Sequence, residues 1–99
     1  MNMQQLMMQA QKMQRELKKA QEALAQKEFS VNKSGAVTVT MKGDRTITSI
    51  EIDEDALDKE NKEMLQDLLQ MAINELLGQI AEEEQAINSK VAGNGGFGF

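Results

Sequence analysis

The chain is 99 residues long, 40% hydrophobic and net −5 in charge, with no His, Cys, Tyr or Trp. A chain near 100 residues forms one domain with a thin core, because it buries only about 60–65% of its unfolded surface. The missing residue types remove the usual general base, the thiolate nucleophile, disulfides and the common zinc ligands, so neither an enzyme nor a metal or cofactor site is expected.

No apolar run approaches the roughly 18–20 residues of a membrane span, and the N-terminus lacks the charged and apolar regions of a secretory signal. The expectation is a soluble cytoplasmic protein with no membrane and no small-molecule substrate. Only Phe29, Phe97 and Phe99 are aromatic, so small aliphatics and eight Met must do the packing. Met adapts to irregular contacts and interfaces, and a thin core beside long apolar stripes points to a homo-oligomer.

Residues 3 to about 27 contain no Gly, Pro or β-branched residue and read as one helix of roughly 37 Å. Met3, Leu6, Ala10, Met13, Leu17, Ala20 and Leu24 recur at 3-4-3-4 spacing. That is a heptad seam, suited to lengthwise packing on another helix of the same chain or of a copy. Asn32-Lys33-Ser34-Gly35 then signals a turn. Val37, Val39 and Met41 alternate with Thr38 and Thr40 as a half-buried strand, and Gly43-Asp44-Arg45 makes a hairpin turn. Thr46 to Ile52 form the next strand, where Ile47 is out of step with Ile50 and Ile52 and predicts a bulge or a change of face. Phe29 to Val31 is a candidate third, edge strand.

Asp53 to Asp58 form an acidic loop, with Asp58 placed to cap the helix that follows. Leu65, Leu68, Leu69, Ala72, Ile73, Leu76, Leu77, Ile80 and Ile87 mark that second helix, from about 60 to 90. Gly78 sits mid-helix and predicts a close helix crossing. The pattern describes an α+β domain over residues 1–91, and the Gly-rich segment 92–99 is expected to be disordered.

Asp53-Glu54-Asp55 opens like a calcium loop, but Leu57 takes the fifth position and Asp58 the place of the required Gly. It reads as a solvated loop, and Glu82-Glu83-Glu84 as a solvated helix face. The charge distribution says more. Residues 1–50 carry eight Lys/Arg against four acids, net +4; residues 51–99 carry three against twelve, net −9. At 100° per residue, Lys12, Arg15, Lys18 and Lys19 span about 120° of the first helix, nearly opposite the seam, over about 10 Å of rise. Gln4, Gln5 and Gln11 extend this face toward the N-terminus. Such a stripe can follow several phosphates of a duplex, and a dimer carries two of them. A solvated surface face, with Glu16 and Glu22 as partial partners of the cations, would look similar; the charge split between the halves favours the polyanion. Scarce aromatics argue against base stacking on single strands and for backbone contacts to double-stranded DNA.

Taken together, these segments resemble the YbaB/EbfC family of bacterial nucleoid-associated proteins. The likeness is carried by Asn2-Met3-Gln4-Gln5-Leu6-Met7, Gln9-Ala10-Gln11-Lys12-Met13-Gln14 and Lys19-Ala20-Gln21-Glu22. It continues through Gly35-Ala36-Val37-Thr38-Val39-Thr40-Met41-Lys42-Gly43, Ile50-Glu51-Ile52-Asp53 and Lys62-Glu63-Met64-Leu65-Gln66-Asp67-Leu68-Leu69. The resemblance implies an α-β-β-β-α protomer and a tweezer-like homodimer joined largely through its sheet region. It also implies DNA binding in the cytoplasmic nucleoid, DNA organisation and an influence on gene expression, without catalysis. The family's basic first-helix residues map to Lys12, Arg15, Lys18 and Lys19. The chain departs from the family in its AGNGGFGF tail and its unusually acidic second helix. A rival reading is a protein-interaction adaptor that docks another protein through the acidic helix and the Met-rich seam.

Overall fold

The computed structural model describes residues 2–94. In chain order these form α1 (Met3–Gln26), β1 (Glu28–Lys33), β2 (Val37–Lys42), β3 (Ile47–Ile52), two short 3₁₀ turns (Glu54–Ala56 and Lys59–Asn61) and α2 (Lys62–Asn94). The expected α-β-β-β-α order is present, with all three strands at full length.

α1 starts in a capping box. Asn2 Oδ1 accepts from the Gln5 amide at 2.8 Å, and Gln5 Oε1 accepts from the Asn2 amide at 3.4 Å, which satisfies two N-terminal donors reciprocally. The strands form an antiparallel meander ordered β1-β2-β3. Ser34 and Gly35 both take positive φ in the first turn, a left-handed path that suits a tight hairpin. Asp58 caps the 3₁₀ turn before α2 rather than α2 itself, accepting from the Glu60 amide at 3.0 Å.

The bulge predicted at Ile47 is present. Thr40 faces Ser49 while Met41 faces Ile47, so Thr48 is the extra residue on β3. Cross-strand partners put Phe29, Val31, Val37, Val39, Met41, Ile50 and Ile52 on one face of the sheet. α2 lies across β1 and β2 on that face. The core consists of Leu24, Phe29, Val31, Val39, Met41, Ala72, Leu76 and Ile80, flanked by Leu69, Ile73, Leu77 and Ile87. β3 escapes this cover, and Ile50 remains 49% exposed.

The β2–β3 turn ties α1 to the sheet. The Gly43 amide donates to the Lys27 carbonyl at 2.9 Å and the Asp44 amide to the Ala25 carbonyl at 3.2 Å, satisfying acceptors that the end of a helix leaves open. A Cβ on Gly43 would lie 1.8 Å from the Leu24 carbonyl oxygen. Glycine is needed here for close approach; the left-handed residue of this turn is Arg45, at φ 72°.

At Gly78 the structure corrects the expected close crossing. A Cβ there would meet nothing within 4 Å, because this side of α2 faces away from the core. α2 itself continues through Asn94, so the first three residues of the Gly-rich segment are helical; residues 95–99 lie outside the described residues.

The radius of gyration is 19.7 Å and the extents are 69 × 24 × 14 Å, whereas a compact chain of this length would have a radius near 13 Å. Both helices outrun the sheet. α1 touches the core only through its last turns: Leu24 is buried, Met13, Leu17 and Ala20 are half-buried, and Met3, Leu6 and Ala10 are exposed. Thus the seam is covered over its C-terminal half and bare over its N-terminal half.

Candidate nucleic-acid interface

Lys12, Arg15, Lys18 and Lys19 are all exposed. They sit on the flank of α1 opposite Met13, Leu17, Ala20 and Leu24, because core contact orients the seam inward and the 100° step then carries the cations outward. Shallow grooves along this flank are lined by Gln5, Met8, Gln9, Gln11, Lys12 and Arg15, and further on by Gln11, Gln14, Arg15 and Lys18. The surface is therefore a row of cations interleaved with amide donors, on a helix free of the sheet for most of its length.

Among the described residues, none of these four cations lies within 4 Å of a carboxylate. The cations of the sheet region are placed differently. Lys27 pairs with Glu83 at 2.7 Å, Lys33 with Glu75, and Lys42 with Asp44 at 4.0 Å. Arg45 makes a two-pronged contact with Glu84 at 2.5 and 3.2 Å. The hydrogen bond from Arg45, and secondarily its charge, holds the Glu84 carboxyl below its usual range, while Glu84 raises Arg45 in return. Asp44 is held low chiefly by hydrogen bonds from the Thr46 side chain and amide. α2's acidity is thus partly consumed within the fold: Glu75, Glu83 and Glu84 fasten the helix to the sheet. Residue spacing does not reveal these pairs, which join positions 39 to 56 residues apart.

The other candidates resolve into structural roles. Asp53 Oδ1 accepts from the Asp55 amide at 3.3 Å and caps the first 3₁₀ turn. Phe29 lies in the core with the Lys27 ammonium 5.1 Å from its ring centroid, so it offers no face on which a base could stack. Among the described residues, no helix is long and apolar enough to cross a membrane.

Comparison with known proteins agrees with this architecture. The family model described as the YbaB/EbfC DNA-binding family matches residues 1–95. A nucleoid-associated protein of Enterococcus faecalis is 49% identical over 90 residues, covering 90% of this chain and 86% of its own length. One from Agathobacter rectalis is 45% identical over 99 residues, covering 99% and 88%. A third, from Ureaplasma urealyticum, is 39% identical over 98 residues, covering 98% and 99%. With a family match across nearly its whole length and relatives this similar, the chain belongs to the YbaB/EbfC DNA-binding family.

Proposed function

We propose that this protein is nucleoid-associated and binds double-stranded DNA as a homodimer, through the outward cations of α1. The observation that carries the reading is the contrast in pairing: Lys12, Arg15, Lys18 and Lys19 face solvent without carboxylate partners among the described residues, while the sheet cations are held by α2 and by Asp44. Charges already matched inside the fold have little to offer a phosphate; unmatched ones on a projecting rod have their full attraction, and their counterions are released on contact. With Phe29 buried, phosphate contacts to a duplex fit better than stacking on a single strand. Organisation of DNA follows from such sequence-independent contact, and effects on gene expression would follow from occupancy.

The second copy docks on the apolar surface that α2 leaves uncovered. Ile47 and Ile50 of β3 and the following Leu57 are exposed, and an apolar surface rimmed by charge is the ordinary mark of an interface. A dimer doubles the cations offered from four to eight. With six to eight phosphate contacts, log K against log salt should slope at about −5 to −7. Charge reversal at Lys12, Arg15 and Lys19 should abolish retardation of duplex DNA at low salt while the dimer persists in sedimentation. Unchanged retardation by that variant would overturn the assignment. Ile50→Glu should separate the protomers; a dimer that survives it places the interface elsewhere.

A further inference from the structure

The N-terminal half of the α1 seam has no described cover. Met3 is 75% exposed and Leu6 50%, with Met7 beside them also open, although Met3, Leu6, Ala10 and Met13 continue the same heptad register that α2 covers further along. A strict heptad seam fits another heptad seam, and α1 holds the heptad seam of this chain. The rows flanking it are Met7, Gln14 and Gln21 on one side and Gln9, Glu16 and Ala23 on the other. They contain one charge in six, so two copies can approach without like-charge repulsion. The four cations sit at the remaining heptad positions, away from the seam.

We propose that this bare segment is a second self-association surface, by which α1 of one dimer pairs antiparallel with α1 of a neighbouring dimer. In antiparallel register Met3 meets the partner's Met13, and Leu6 meets the partner's Ala10, a large residue against a small one. The contact is two-fold symmetric and closes on itself. Charge selects this orientation. Antiparallel pairing places the two cation clusters at opposite ends of the overlap, whereas parallel pairing sets them side by side. Overlap from residue 3 to 13 is about 15 Å, too short for a stable free coiled coil. The pairing therefore forms where dimers are already concentrated, as neighbours on one duplex or on two duplexes lying together. The basic flanks stay outward, so pairing links dimers without covering the phosphate contacts. This inference rests on the DNA-binding reading above for its setting, and it assigns the Met-rich tip an occupant that the adaptor reading would give to a foreign protein.

The chain has no cysteine, so engineered thiols report without background. Full-length Met3→Cys and Met13→Cys proteins are mixed on duplex DNA under mild oxidation. The expected result is a predominant 3–13′ disulfide, because antiparallel pairing separates the two 3 positions by more than the roughly 7 Å a disulfide can span between Cα atoms. Leu6→Glu should abolish the cross-link and the bridging of separate duplexes, with retardation of a short single-site duplex unchanged. Ile50→Glu, which attacks the proposed sheet-region dimer, should leave the 3–13′ cross-link in place. Predominant 3–3′ and 13–13′ products, or no cross-link on DNA that is retarded normally, would overturn the pairing. If no DNA is retarded, the DNA reading fails separately, and cross-linking of the free protein at high concentration decides the pairing. Transfer of the mixed Met3→Cys and Met13→Cys proteins from DNA to anionic vesicles, with loss of the cross-link, would assign the seam to a lipid surface instead, and overturn it too.

Discussion

The cations of α1 and those around the sheet are equal in number and opposite in use. Lys27, Lys33, Lys42 and Arg45 lie where the chain folds back on itself, and each meets a carboxylate of α2 or of its own turn. Lys12, Arg15, Lys18 and Lys19 stand on a helix that leaves the sheet and α2's carboxylates behind, with Glu16 and Glu22 of the same helix one turn away but, among the described residues, not paired with them. An acidic protein can therefore present a basic surface, because net charge is an average whereas attraction to a polyanion depends on local potential. Part of the second helix's acidity is taken up in these pairs, through Glu75, Glu83 and Glu84.

The strongest way to break this comparison is to exchange the roles of the two regions. Neutralising Lys27, Lys33 and Arg45 to Gln should leave DNA retardation nearly intact, whereas reversing Lys12, Arg15 and Lys19 removes it; equal losses from both variants would show that the pairing contrast has no bearing on binding. Next in size is Gly43→Ala. Its methyl would run into the Leu24 carbonyl, and the backbone shift needed should cost about 1–3 kcal/mol, read as a lower midpoint in urea. All four α1 cations stay in place, so a loss of DNA affinity in this variant, measured where it is fully folded, would show that the turn also aims the helix.

The smallest effect concerns acid. The Glu84 pKa is lowered by Arg45 in the folded state, so the pair stabilises fully above the ordinary glutamate range, and the gain disappears as pH falls through the folded value. Both side chains are exposed, and the change should be slight. Comparing melting temperature with pH for wild type and Glu84→Gln checks it: the two curves should converge toward acid, and a constant gap would remove the ion pair as the cause.

Much of this molecule was legible before any coordinates. Helix and strand periodicities are local geometry, so α1, the alternation of β2 and the stripe on α2 could be read directly. The out-of-step Ile47 announced its bulge. The same angular step that defines the seam put the four cations on the opposite flank. What remained open depended on where α2 travels. Its path over β1 and β2 leaves Ile50 bare, brings Glu75, Glu83 and Glu84 to distant cations, and ends the cover of α1 near Met13. Within the chain it also leaves Gly78 without a close crossing, while the close contact falls on Gly43. A single helix reveals which face is apolar, but only packing between elements far apart in the chain decides how much of that face is covered and which charges are left for a partner.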